Sequence, residues 1–96
     1  MLEWSDKSDG FPCRVKYYGK DEELWMDIKF QANPVKEVGK NGMCMLDVLD
    51  SMIKRLNDFD SKWPCKENAM AISYMEEAKR WLKTKRERRI QERVNA

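Results

Sequence analysis

The chain contains no histidine among its 96 residues. Histidine is the commonest general base near neutral pH and the commonest ligand of zinc, so its absence excludes the usual nucleophile–histidine pairs and most zinc sites. The adjacent carboxylates Glu76 and Glu77 remain for acid–base chemistry, but neighbouring residues of a helix point in different directions. We therefore expect a protein that is not an enzyme and that uses neither a cofactor nor a metal ion.

Cysteines and long apolar segments are also scarce. Cys13, Cys44 and Cys65 are widely spaced and odd in number, which favours free thiols over a disulfide framework. No apolar run approaches the roughly 18 residues of a transmembrane helix, and no secretory leader is recognisable. The sequence predicts a cytosolic protein without a membrane partner. Because so short a chain buries only a small core, association with further copies is expected.

Positive charge is concentrated near the end of the chain. The formal net charge is only +2, yet residues 79–93 contain eight basic side chains against two acidic ones, Glu87 and Glu92. Such a run is typical of a helix that binds anions or of a solvated helix face. One interpretation of the whole chain is accordingly a small basic module that binds nucleic acid or regulates a partner.

The first 42 residues predict turns and short strands. Residues 1–24 form a variable segment in which residues 13–18 predict a strand and residues 19–23 form a polar break. Its turn-like residues are Ser5, Asp6, Ser8, Asp9 and Gly10. Residues 25–42 predict two short strands joined at Asn33-Pro34, with Val35 and Val38 in the second. Asn41-Gly42 then predicts a turn with positive φ.

From residue 43 the apolar spacing becomes helical. Leu46, Leu49, Ile53 and Leu56 predict an amphipathic helix of about 17 residues. After Trp63-Pro64, a second helix is predicted from about residue 65 to beyond residue 89. Its apolar stripe comprises Ala71, Met75, Ala78 and Leu82, joined by Tyr74 and Trp81. The expected architecture is α+β in a single domain of residues 1–96, with short antiparallel strands followed by a long antiparallel αα-hairpin over residues 43–94.

The second helix is long for so small a domain. A helix of about 28 residues measures about 42 Å, so its far end overhangs a compact monomer. Trp81, Leu82 and Ile90 lie on that end, and we expect them to pack against another subunit of a homo-oligomer. The alternative is a frayed, charged tail.

Basic residues replace apolar ones along the inner stripe after Leu82, at Lys85, Arg86 and Arg89. In an antiparallel hairpin the segment from Lys36 to Met43 lies near this end, and Lys36 is a further candidate ligand-binding residue. The opposite end carries the aromatic and amide side chains of Phe59, Trp63 and Asn68. A neighbouring subunit is needed to bring both groups together. Aromatic faces, an amide and cations together suit a nucleotide.

Each of these residues also has a purely structural interpretation. Phe59 continues the apolar stripe of the first helix and fits a core position. Asn68 fits helix capping in the first turn of the second helix. Lys85 to Arg89 fit a solvated surface.

Several short motifs give the chain a family resemblance. They fall in DIKFQANPVKEVGKNGMCMLDVLDSMIKRL and in the later WPCKENAMAISYMEEAKRWL with its basic tail. The individual elements are Phe30-Gln31, Pro34, Lys36-Glu37-Val38-Gly39, Asn41-Gly42 with Cys44, and Cys65-Lys66-Glu67-Asn68. Over residues 27–94 this pattern resembles the first type of phage Thoeris anti-defence protein, which shares a helical hairpin with the phage anti-CBASS sponge.

The resemblance implies a phage sponge in the cytoplasm of the host cell that evades immunity without cleaving its ligand. Such a protein sequesters the cyclic ADP-ribose isomers (gcADPR) made by Thoeris TIR proteins, and some members also capture cyclic di- or trinucleotides of CBASS immunity. By this analogy Phe59 stacks on adenine, Asn68 contacts the ligand, and Lys85 or Arg86 holds a phosphate or stacks on the ligand. The implied assembly is a dimer that builds further to a hexamer, with no polymeric nucleic acid bound.

Two other functions compete with the sponge. A nucleic-acid-binding module predicts affinity that falls steeply with salt, whereas a sponge keeps tight binding and depends on Phe59 and Asn68. A structural phage assembly protein would use the hairpin as an oligomer interface and bind no ligand.

Overall fold

The computed structural model describes residues 1–95, with side chains through Glu92. The chain divides into two compact units, the first comprising residues 1–45 and the second beginning at Leu46. The first unit contains three strands and a short helix, and the second contains two long helices. The architecture is therefore α+β with N-terminal strands followed by helices, as predicted.

A three-stranded antiparallel sheet forms the first unit. Its strands are β1 (Leu2–Lys7), β2 (Pro12–Tyr18) and β3 (Leu24–Lys29), paired in the order β1-β2-β3. The predictions of strands at residues 13–18 and near residues 25–30 are confirmed. The prediction of a turn at Ser5 and Asp6 was wrong, because both residues belong to β1, where Asp6 nevertheless has a φ of 57°. Pairing with β2 overrides the local turn preference there.

The two faces of the sheet differ in polarity. Trp4, Val15 and Ile28 are paired across the three strands and therefore share one apolar face. Val15 is buried on that face, and the ring of Trp4 stacks on Phe30 with centroids 6.1 Å apart. The small core of this unit is built on the apolar face.

An ion pair joins β2 and β3 on the opposite face. Arg14 donates from Nε and Nη2 to the two carboxylate oxygens of Asp27, at 2.8 and 2.7 Å. This two-pronged arrangement is the geometry that makes arginine–carboxylate pairs strong. The hydrogen bonds and the positive charge of Arg14 lower the pKa of the Asp27 carboxyl.

The segment after β3 departs from the predicted hairpin. Val35–Val38 forms a short helix, α1, where a second strand was expected, so that prediction was wrong. Pro34 occupies the position before α1 with a φ of −63°, which suits a helix start better than a strand. Asn33 has a φ of 62°, and the chain passes from β3 through Asn33-Pro34 into α1 instead of into a second strand.

Two side-chain amides hold this loop together. Asn41 donates from Nδ2 to the carbonyl of Ala32 and accepts from the Ala32 N–H through Oδ1, each at 2.9 Å. Gln31 accepts from the Asn41 N–H at 3.0 Å and donates to the Gly39 carbonyl at 3.0 Å. We call this set of contacts the amide clasp. Because Ala32 is almost completely buried, the clasp satisfies backbone groups that water cannot reach.

Two glycines in the loop are required for different reasons. Gly39 has a φ of 76° and a ψ of 179°, a conformation essentially restricted to glycine. A Cβ on Gly42 would lie 2.5 Å from the carbonyl carbon and oxygen of Phe30, so that contact leaves no space for a side chain. The predicted positive φ at Asn41-Gly42 was wrong, since positive φ occurs at Asn33 and Gly39 instead.

The second unit consists of α2 (Met45–Lys62) and α3 (Lys66–Asn95). Leu46 and Ile53 of α2 are buried, and the other apolar positions of its predicted stripe are half-buried at Leu49 and Leu56. Thirty residues give α3 a length of about 45 Å. No helix among residues 1–95 is long and apolar enough to cross a membrane.

The face of α3 that is half-buried carries Ala71, Met75, Lys79 and Leu82. Lys79 forms an ion pair with Asp50 of α2, and the hydrogen bond to Asp50 raises the pKa of Lys79. The prediction that Ala78 belongs to this stripe was wrong, because Ala78 is exposed. Tyr74 and Trp81, which were predicted to join the stripe, are exposed as well. At about 100° per residue they share a separate face with Met70, which is also exposed.

Candidate ligand-binding site

Three of the predicted site residues meet where α2 ends and α3 begins. The rings of Phe59 and Trp63 lie with their centroids 5.1 Å apart and their planes 46° apart. Asn68 donates from Nδ2 to the carbonyl of Trp63 over 3.4 Å. We call Phe59, Trp63 and Asn68 the aromatic corner. It offers two ring faces and an amide whose remaining donor and acceptor can pair with a ligand.

Local hydrogen bonds fix the connection that builds the aromatic corner. Asp60 accepts from the N–H of Cys65 at 3.1 Å, and the Cys65 thiol sulfur accepts from the N–H of Asn68 at 3.4 Å. Cys65 thus occupies the capping position that serine or threonine usually fills, while Pro64 lies just before the helix. The Asn68 backbone is anchored by the cap, so its side chain is not needed as the cap itself.

All three cysteines are free thiols, as the sequence predicted. Cys13 is buried, Cys44 is half-buried and Cys65 is exposed. No group of three or more histidine, cysteine, aspartate or glutamate side chains suited to a metal ion occurs in the described part of the chain.

An apolar groove adjoins the aromatic corner within the second unit. It has a volume of about 450 Å³ and is lined by Ser51, Met52, Arg55, Leu56 and Phe59 of α2 and by Met75 of α3. Phe59 is 42% exposed and forms one wall of this groove. The interpretation of Phe59 as a buried core residue is therefore wrong.

Arg55 was not among the predicted site residues, yet its guanidinium carbon lies 5.0 Å from the centroid of the Phe59 ring. The ammonium nitrogen of a second cation, Lys62, lies 5.0 Å from the centroid of the Trp63 ring. The spacing of Arg55 and Phe59 by four residues on one helix would have revealed the first contact, because such residues are neighbours on the helix surface.

The three predicted cations lie farther along α3. Lys85, Arg86 and Arg89 are all exposed. Lys79 and Arg88, in contrast, form ion pairs with Asp50 and Glu92 respectively. Fewer basic side chains of this segment can therefore bind an external anion than its composition indicates. The side chain of Arg93, counted in that segment from the sequence, lies outside the described residues.

The length of α3 separates the two halves of the predicted site. Lys85 and Asn68 lie on one continuous helix, about 26 Å apart at 1.5 Å per residue. One chain therefore does not place these cations at its own aromatic corner. Lys36, the remaining predicted site residue, is exposed on α1 of the first unit.

Comparison with known proteins adds one relative. No protein-family model matches this chain. The chain is 43% identical over 68 residues to "Thoeris anti-defense 1" from Bacillus phage SBSphiJ7. The alignment covers 70% of this chain and 48% of that protein, so the chain spans about half the length of the curated relative it matches.

Proposed function

We propose that this chain, which is 43% identical over 68 residues to "Thoeris anti-defense 1" of a Bacillus phage, is itself an anti-Thoeris phage protein that sequesters cyclic ADP-ribose isomers without cleaving them. The observation that carries this proposal is the aromatic corner, where two ring faces and an amide adjoin an apolar groove. Such a combination suits a purine base, which stacks through its face and hydrogen-bonds through its edge.

The phosphates of the ligand require cations, which we assign to Lys85, Arg86 and Arg89. Exposed guanidinium and ammonium groups bind phosphate oxygens through charge-assisted hydrogen bonds. Since α3 holds these groups about 26 to 32 Å from Asn68 of the same chain, the proposed site combines the aromatic corner of one subunit with the cations of another. We include Lys36 as a further cationic contributor from the loop segment.

The assembly that would create such a site is an oligomer of antiparallel α2–α3 hairpins, first a dimer and then a hexamer. The ion pair between Asp50 and Lys79 supports the hairpin, since these residues lie at similar distances from the connection. Trp81 is 69% exposed on α3, and a large exposed aromatic side chain favours contact with another copy.

Sequestration requires affinity without turnover. Nanomolar binding corresponds to about 12 kcal/mol of net free energy. A rigid site between helices and a ligand that is already cyclic both reduce the ordering cost of binding. In the host cytoplasm, tight binding alone would keep the signal from the Thoeris effector. Capture of CBASS cyclic di- or trinucleotides is a further activity that this proposal includes.

A capture experiment tests this function directly. The purified protein is incubated with a panel of cyclic ADP-ribose isomers and cyclic oligonucleotides, and bound ligand is recovered by heat denaturation and identified by chromatography. Depletion followed by release of the intact molecule is expected. A chemically altered product would show an enzyme instead. No depletion, together with salt-sensitive binding of DNA or RNA, would favour the basic nucleic-acid-binding module.

We expect Asn68→Ala to abolish capture while the oligomer remains intact. Cys65 continues to cap the helix in this variant, so the substitution removes the ligand-binding amide and its long hydrogen bond to the Trp63 carbonyl. Asn57→Ala removes an exposed amide of α2 instead of α3 and is the matched control. Ligand depletion and sedimentation velocity measure the two effects. Unchanged capture by the Asn68 variant would remove this residue from the site.

A further inference from the structure

Arg55 lines the apolar groove but has no role in the proposed site as described above. Its guanidinium carbon is 5.0 Å from the Phe59 ring centroid, and both side chains line the groove. The volume of about 450 Å³ lies within the range of small-molecule sites, roughly 300–1,000 Å³. Met52 and Met75 form other parts of the wall, and flexible thioether side chains adapt readily to a planar guest.

We propose that Arg55 is a ligand-binding residue that stacks on the outer face of a purine base, with Phe59 on the inner face. This inference rests on the proposed function, since it concerns how that site holds its nucleotide. Arginine suits the role because its guanidinium is planar, always charged and weakly hydrated, and stacks on aromatic systems. The Arg55 guanidinium lies over the face of the Phe59 ring that the base would contact.

The geometry defines the movement that binding requires. Two stacked contacts of about 3.5 Å each need roughly 7 Å between the guanidinium and the ring. The present separation of 5.0 Å therefore opens by about 2 Å. Arg55 is an exposed residue on the surface of α2, so rotation about its side-chain bonds provides this movement without shifting the helix.

Substitution of Arg55 separates stacking from simple charge attraction. Arg55→Ala is expected to weaken binding of the captured cyclic ADP-ribose isomer by about 3- to 30-fold, the range of a cation–π contact. Arg55→Lys keeps the charge but loses the plane, and we expect a loss close to that of alanine. Lys54→Ala is the control, because Lys54 is the preceding residue of α2 and pairs with Asp58. Isothermal titration calorimetry measures each dissociation constant.

Wild-type affinity in Arg55→Ala, or full recovery in Arg55→Lys, would overturn this inference while the proposed function stood. Adenosine 5′-monophosphate provides a second probe that needs no cyclic ligand. In wild-type protein it is expected to shift the NMR signals of the Phe59 ring and the Arg55 guanidinium together, and Arg55→Ala should weaken its binding. If no cyclic isomer is captured but this response occurs, the proposed sponge fails and the base-binding role of Arg55 stands. If neither occurs, both fail.

Discussion

Asn41 and Ala32 form a contact in which a side-chain amide takes the place of a backbone peptide. The amide donates to and accepts from one residue, as a neighbouring strand would, and Gln31 completes the clasp through the Asn41 N–H. The motifs Phe30-Gln31 and Asn41-Gly42, which carried the family resemblance, therefore build the loop after the sheet. Their residue types follow from hydrogen bonding and close approach within that loop.

Asn41→Asp tests the amide clasp with a single exchange of NH₂ for O. The carboxylate keeps the acceptor for the Ala32 N–H but places a negative oxygen against the Ala32 carbonyl. Loss of the donor beside a buried backbone group should lower the free energy of unfolding by about 1–3 kcal/mol. Urea denaturation measures the change in the free energy of unfolding. Asn57→Asp, at an exposed position of α2, serves as the control. Equal stability of the two variants would contradict a stabilising clasp.

Only part of the candidate site could be predicted from the types and spacing of its residues. The residue types of Phe59 and Asn68 indicated stacking and amide recognition, yet their spacing fitted a core position and a helix cap equally well. The structure distinguishes these possibilities for the local environment, because Phe59 is partly exposed and Cys65 provides the cap. Met75 of the groove could not be assigned from sequence, since its place depends on how α3 lies beside α2.

Among the structural elements, strands β2 and β3 are joined by the Arg14–Asp27 ion pair. The folded-state pKa of Asp27 is lowered, so the pair stabilises the fold above the ordinary aspartate pKa of about 3.9. That contribution is lost as the pH falls through the lowered value, where the carboxylate becomes protonated. It is fully present at neutral pH.

Asp27→Asn removes this pH dependence. We expect the variant to be less stable than the wild type at pH 7, with the difference shrinking steadily as the pH falls towards about 2. Thermal unfolding across this range gives the comparison. Asp21→Asn, in the turn after β2, changes the same charge without removing the ion pair. A constant difference at all pH values would show that Asp27 acts through packing alone.

Element types were predicted best where one pattern dominated. The helical spacing of four apolar residues predicted a helix of about 17 residues, and α2 has 18. These residues are Leu46, Leu49, Ile53 and Leu56. The segment Val35–Val38 was mistaken for a strand because its β-branched ends outweighed the helix-starting effect of Pro34. The sequence of β1 gave little strand signal, and its existence depends on pairing with residues 12–17.

For the whole molecule, the exposed face of α3 bears on assembly. Met70, Tyr74 and Trp81 share this face, away from the side that carries the ion pair to Asp50. A subunit interface would bury these side chains and give the oligomer most of its apolar contact.

Trp81→Lys should therefore shift the protein towards smaller species and weaken ligand capture in parallel, because the proposed site needs two subunits. Sedimentation velocity at matched concentrations follows the shift. Ser73→Lys introduces the same charge on a different face of α3 and should leave the assembly unchanged. An unaltered oligomer in the Trp81 variant would place the interface elsewhere.

Because α3 is a single uninterrupted helix, Asn68 and Lys85 are related by an angular phase as well as by a distance. One inserted residue between them would advance the cations by only about 1.5 Å but turn them by about 100° around the axis. Seven inserted residues would nearly restore their direction at a displacement of about 10 Å. Any change in the length of this stretch therefore alters either the direction or the axial position of the cations, so a site shared between subunits would constrain the number of residues between Asn68 and Lys85.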